Sequence, residues 1–248
     1  MMYLSKLYMP KVHYARYLLV ILLCWAIFTL LDRTIIATFP VAHADTSNLT
    51  IYQPSSKPYG LSYGEWTAKW WQWIISIPNQ NNPANDQTGI NCAQKQGGPV
   101  WFLAGAVSGK AERNCVIKKG NAILFPIITS ECSYAEFPKY KSEQELRACA
   151  VSQQDQVGYI EATVDGTAIQ NLQKYRVQSP LFNVVFPSDN IFGTPPGPSQ
   201  SVADGFYVFL SPLSPGKHNI HFKASNVDFT VTGTNSLAQD VIYHLTIT

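Results

Sequence analysis

Ser62-Tyr63-Gly64-Glu65-Trp66-Thr67-Ala68-Lys69-Trp70-Trp71-Gln72-Trp73-Ile74-Ile75-Ser76-Ile77-Pro78 places four of the chain's six tryptophans within eight residues. Ser62 and Glu65 form an S-x-x-E capping box and Pro78 supplies a stop, so the stretch is expected to be a helix. At about 100° per residue, Trp66, Trp70, Trp73 and Ile77 fall within about 60° of one another, with Ile74 beside them. Glu65, Lys69, Gln72 and Ser76 gather on the opposite, narrow strip, where Glu65 and Lys69 make a favourable i,i+4 pair. Trp71 and Ile75 widen the apolar arc beyond that of an ordinary surface helix. Four indoles at roughly 200 Å² each carry about 800 Å², more than the roughly 300–600 Å² of the largest apolar patch on a typical monomer. Most of that surface must be covered by the rest of the domain, which makes this a core helix packed on a sheet. The peripheral indoles, Trp71 first and then Trp66, are the candidate ligand platform.

Upstream, Lys6, Lys11 and Arg16 precede an uncharged apolar run at 17–31, closed by Asp32 and Arg33. About fifteen residues is short for a membrane span and normal for the apolar part of a signal peptide. Ala42-His43-Ala44 offers a cleavage site, so residues 1–44 are expected to be a signal peptide. The alternative is an uncleaved anchor through residues 17–31. Residues 45–248 then form a single β-rich extracytoplasmic domain, secreted or held at the cell surface. The leader contains four of the 18 basic residues and one of the 16 acidic ones, leaving 14 basic and 15 acidic, a formal charge of −1. The apparent basic balance is therefore a leader effect, and nucleic acid is not an expected partner.

Cys24 falls inside the apolar run, leaving Cys92, Cys115, Cys132 and Cys149. An even number behind a signal peptide reads as two disulfides. Three connectivities exist, and sequence order favours Cys92–Cys115 and Cys132–Cys149. The spacings do not resemble a zinc or redox motif, and no metal is expected. Asn82, Asn85, Asp86 and Asn91 carry oxygens suited to calcium but do not fit the usual calcium loop.

The rest of the chain reads as strands. Leu49–Tyr52 is a candidate edge strand, with an Asn48-Leu49-Thr50 glycosylation sequon beside it. Val100–Gly105 is a short apolar run bounded by glycines. Asn114–Ile117 and Ala122–Ile128 flank the Lys118-Lys119-Gly120-Asn121 turn and read as a hairpin, with Pro126 at a bulge or edge. Ser142 and Glu145 form a second capping box, opening a helix to about Gln153. Gly158–Ile169 reads as a hairpin around Asp165-Gly166, followed by strands at Leu181–Phe186, Phe206–Leu210, His218–Ala224, Phe229–Thr232 and Val241–Ile247. Pro187–Asp204 is read as a long Pro/Gly/Ser loop and a second candidate site. The expected fold is mainly β: an antiparallel β-sandwich, jelly-roll or Ig-like, with a Trp-rich N-terminal helix and one further short helix.

Catalytic motifs are sparse. Gly60-Leu61-Ser62-Tyr63-Gly64 matches the G-x-S-x-G nucleophile elbow, but that motif needs alternating β and α units, and Ser62 already has a role as N-cap. His218 and His221, three apart on a strand, point to opposite faces, which is wrong for a shared metal. Glu131 and Glu136 flank Cys132 and are a candidate carboxylate pair. No phosphate loop, H-E-x-x-H or dinucleotide fingerprint is present, and no cofactor is expected.

The GEWxxKWWQW helix, the Trp101-Phe102-Leu103-Ala104-Gly105 strand, Ala122–Ile127, Val164-Asp165-Gly166, Val202–Gly205 and Pro212-Leu213-Ser214-Pro215-Gly216-Lys217-His218 together resemble an uncharacterised family of exported microbial proteins. The resemblance spans about residues 60–247. It implies export and one β-rich domain, and it transfers no catalytic residue. Three function classes follow. The first is an exported, non-enzymatic β-sandwich protein for binding or surface assembly, recognising a surface or extracellular ligand such as a glycan or peptide. The second is a secreted hydrolase using Ser62 or the carboxylates near Cys132. The third is a structural protein tethered to the membrane through residues 17–31.

Overall fold

Two strands at the centre of the molecule, β3 (Ala122–Ser133) and β8 (Gly197–Leu210), are covered on both faces over most of their length. That double burial decides the layering, because each face of the sheet they share must meet a different partner. The computed structural model describes residues 49–107, 109–225 and 239–248. The leader, the Asn48 sequon residue and the expected Phe229–Thr232 strand lie outside the described residues.

The first sheet runs β1 (Val100–Phe102), β3, β8, β6 (Arg176–Gln178), and β7 (Phe182–Phe186) pairs with the first half of β8. The second runs β2 (Lys110–Ile117), β10 (Gln239–Ile247), β9 (Gly216–Ser225), β4 (Tyr159–Val164), β5 (Thr167–Ala168). The chain is thus mainly β, in two packed sheets with two helices, α1 (Tyr63–Ser76) and α2 (Glu143–Gln154). Two pairings, β1 with β3 and β2 with β10, are parallel, so both sheets are mixed.

One face of the first sheet meets the second sheet, where Phe125 of β3 stacks on Phe222 of β9 at 5.3 Å. Farther along, the same face meets α2: Ser130 Oγ donates to the Ala150 carbonyl, and Cys132 is bonded to Cys149. The opposite face meets α1, where Tyr63 and Trp66 pack edge-on against Phe209. Gly64 is required here, because a Cβ would lie 2.6 Å from the Gln178 carbonyl of β6.

Both cysteine pairs form as sequence order suggests, Cys92–Cys115 and Cys132–Cys149, with Cα separations of 6.1 and 6.2 Å. Each restricts the unfolded chain by about 3 kcal/mol on the loop-entropy account. The first ties the polar 79–98 segment to β2, and the second pins α2 to β3. Arg113 reinforces the first tie. Fully buried on β2, it donates to the carbonyls of Asp86, Ala104 and Gly105 and to the Tyr243 hydroxyl.

Two expectations need correction. β2 and β3 do not form a hairpin: they lie in different sheets, and the 118–121 turn crosses between layers. Their burial explains the split, since β2 alternates exposed and buried residues while β3 is buried almost throughout. The 187–204 loop is also shorter than expected. From Gly197 it becomes the first half of β8, paired with β7, although Pro198, Ser199 and Gln200 have little β-propensity of their own.

Candidate functional site

The Trp helix begins as its sequence indicates. Ser62 Oγ donates to Glu65 Oε2 at 2.6 Å and accepts from the Glu65 backbone N–H, closing the capping box. These bonds from Ser62, side chain first and backbone second, hold the Glu65 carboxyl below the usual glutamate range. The Ser62 hydroxyl is thereby committed to the cap. The acceptor of its proton, a carboxylate held below the ordinary range, is too weak a base to activate a nucleophile.

All four helix indoles are buried, 4–6% exposed, and each N–H has a partner. Trp66 donates to the Pro58 carbonyl, Trp70 to Leu103 and Trp73 to Gln94, at 2.8–2.9 Å. Three indoles therefore staple the helix to flanking loops. Trp71 differs. Its Nε1 donates to the Tyr207 hydroxyl at 2.9 Å and lies 3.3 Å from Thr129 Oγ1, tying it to the central sheet. Neither Trp71 nor Trp66 is spread flat on the surface. Each forms part of the wall of a hollow, and the two hollows lie on different flanks of α1.

The hollow at Trp71 holds about 140 Å³. Trp70, Trp71 and Ile74 form one wall. The floor is residues 126–129 of β3, where the register slips between Pro126 and Ile128 and Ile127 is the extra residue of a bulge. Pro126 thus sits at a bulge in a central strand. Ile191 and Phe192 close the rim from the segment before β8, with Phe192 6.2 Å from the Trp71 ring. Residues 105–107 and Gln239 complete the enclosure. Both regions singled out from sequence, Trp71 and the 187–204 segment, meet here.

The hollow at Trp66 is larger and more open, about 460 Å³, and is walled by Tyr59, Trp66 and Phe102 with Lys69 and Gln72. Tyr59 is 44% exposed and holds a left-handed backbone, φ 53°, which is strained for a residue with a Cβ. Its ring meets Trp66 edge-on at 6.3 Å.

Glu131 and Glu136 do come together. Glu131 is 5% exposed, and its Oε2 accepts from Ser201 Oγ at 2.9 Å while Oε1 has no conventional partner. Burial, then the charge and hydrogen bond of Glu136, push the Glu131 carboxyl well above the usual glutamate range. A proton held on Glu131 and facing Glu136 would give the unpaired oxygen a partner. Carboxyls in such direct contact leave no room for the glycosidic oxygen that hydrolytic pairs about 5 Å or more apart must flank.

Ser214, His218 and Asp165 make a second cluster, which sequence reading did not assemble. His218 Nδ1 lies 2.7 Å from Asp165 Oδ2, and Nε2 lies 3.4 Å from Ser214 Oγ. Nε2 is nearer, at 2.9 Å, to the carbonyl of Ser214, which calls for an N–H and not a lone pair. No free base faces the hydroxyl, so the cluster clamps the 212–216 turn to the β4–β5 hairpin. As expected, His221 points to the other face, where it meets Asp240.

Two of the groups with oxygens suited to calcium, Asn82 Oδ1 and the Asp86 carboxylate, accept backbone N–H groups of their own loop, Asn82 from Ala84 at 3.0 Å. Asn82 donates to the Ile74 and Ile77 carbonyls, closing the end of α1. Asp86 accepts from the backbone of Thr88, Gly89 and Asn91; burial pushes its carboxyl up, and these bonds overcome that and hold it low. Among the described residues no three of His, Cys, Asp and Glu converge, and no helix is long and apolar enough to cross a membrane.

No family model and no curated protein matches the chain. Among solved structures, the chain is similar to the cysteine protease inhibitor EhICP2 from Entamoeba histolytica. The identity is 13%, over 60% of this chain and 96% of that one, with a TM-score of 0.24. A score of that size assigns this chain neither fold family nor activity.

Proposed function

We propose that this chain is an exported, non-enzymatic β-sandwich protein that binds an extracellular or surface ligand in the hollow beside Trp71. Two formed disulfides suit an oxidising compartment, in keeping with the leader. The observation that carries the reading is the convergence of Trp71 and Phe192, 121 positions apart in the chain, around one partly open hollow. A concave, mostly apolar space with few convergent polar groups is the usual form of a ligand site. The committed Ser62 hydroxyl and the touching Glu131–Glu136 pair support a binding role over a hydrolytic one.

The test uses tryptophan fluorescence of the secreted, oxidised protein. Ligands that enter the hollow change the emission of wild type, and the change shrinks in Trp71→Phe. A screen of neutral hexasaccharides, peptides and small hydrophobes with no response in either protein would sink the reading. N-terminal sequencing of the same sample tests the leader: a start at Asp45 rules out a tether through residues 17–31.

A further inference from the structure

We infer that the occupant of the Trp71 hollow is a small, uncharged apolar group, one ring or a short branched chain, and not a sugar. The inference rests on the binding role proposed above and adds the chemistry of the ligand.

Three observations point the same way. Among the described residues, none that lines the hollow carries a charge. Its few polar side-chain atoms, the Gln239 amide nitrogen apart, are already well paired within the protein. The Trp71 N–H is taken by Tyr207, and Thr129 Oγ1 by Tyr207 and the Asp204 carbonyl. Trp70 Nε1 donates to the Leu103 carbonyl, Gln239 Oε1 accepts from the Ala106 N–H at 2.9 Å, and Gln239 Nε2 has only a long 3.5 Å contact with the Ala106 carbonyl. A hydroxylated ligand entering this space would give up water and find little beyond the Gln239 amide N–H to replace it, at about 1–3 kcal/mol for each group stranded. A hydrocarbon would lose nothing. The size agrees: about 140 Å³ is close to the roughly 150 Å³ of an apolar cavity able to hold benzene. The hollow at Trp66 contrasts with this. Lys69 and Gln72 line that larger opening, whereas the Trp71 hollow offers neither a charge nor comparable room.

The group can arrive as a free hydrophobe or as the side chain of a peptide, and the arms of one experiment separate the two. The full, oxidised protein is titrated with toluene, benzylamine, benzoate, N-acetyl-phenylalanine amide and a neutral hexasaccharide, read by calorimetry and Trp71-dependent fluorescence. Toluene is expected to bind at least tenfold more tightly than benzylammonium or benzoate, which have the same ring with a charge added. Ala106→Leu, which fills the hollow, is expected to weaken toluene at least tenfold. Phe192→Ala, which opens its rim, should shift preference from toluene toward naphthalene, and this keeps the test alive if the filled variant fails to fold.

Binding of the phenylalanine amide without toluene would assign a peptide side chain and leave the apolar class standing. Saccharide or benzoate binding that is lost in the filled variant would overturn the apolar class while the binding site stands. If no probe gives a Trp71-dependent signal, both inferences fall.

Discussion

The β3–β8 pair carries two chemistries along a single face. Where Leu124 pairs with Phe209 and Pro126 with Tyr207, the face meets the Trp helix and is apolar. Where Glu131 pairs with Ala203 and Ser133 with Ser201, the same face carries a carboxyl and two hydroxyls, all buried. Burial alone does not separate these ends. Along this face saturation does: all four indole N–H groups of the Trp helix have partners, whereas at the other end Glu131 Oε1 has none unless it bears a proton. The indole N–H of Trp101, on β1 and outside that helix, is buried without a partner. The apolar end is expected to respond to lost volume, and the polar end to lost charge partners and to pH.

The largest effect belongs to the apolar end. Trp70 packs edge-on against Trp71 and Trp73 and donates to Leu103. Trp70→Ala is expected to cost about 3–5 kcal/mol, read as a lower urea midpoint at unchanged slope. A loss below about 1 kcal/mol would mean that the helix is dispensable to the sheet beneath it.

Next comes Arg176, beside the polar end. Its guanidinium lies 2.8 Å from Asp204 and 2.7 Å from Asp155, and burial pushes the Asp204 carboxyl up against the pull of Arg176. Arg176→Met leaves Asp204 covered and unpaired. The expected cost is about 2–3 kcal/mol, less than for a fully buried pair because the Arg176 side chain is 30% exposed. Adding Asp204→Leu should recover most of the loss in the same denaturation experiment. A double variant no better than the single would show that Asp204 is held by its neighbours and not by the ion pair.

What was legible in the sequence is local. Both capping boxes, the Asp165-Gly166 hairpin and the opposite faces of His218 and His221 follow from spacing within a few residues. Both disulfides are the pairing that order favours among three possible connectivities. The layer change between β2 and β3 was not legible, because a four-residue turn looks the same whether the chain folds back or crosses over. Nor was the first half of β8, where pairing with β7 overrides weak propensity. The hollow was half legible. Trp71 stood out by composition, but Thr129, Phe192 and Gln239 reach it from three other segments, and no short-range pattern joins them.

The smallest effect at any one pH is the one that most sharpens the contrast between the two ends. Glu131, pushed up by burial and by Glu136, keeps its proton in the fold at pH values where the unfolded chain has lost it. The folded state then binds more protons, so stability contributed here is complete below the ordinary glutamate range and is lost as pH rises through the folded value. Glu131→Gln cannot ionise, and its amide N–H can replace the acid as donor to Glu136. Thermal midpoints of wild type and variant are expected to lie together near pH 4 and to separate toward pH 8, with the variant the more stable. Trp70→Ala, measured over the same range, should track wild type at a constant offset. If the Glu131→Gln gap is flat, or opens toward acid instead, the proton on Glu131 is wrong and the polar end is held as an ordinary pair of buried hydrogen bonds.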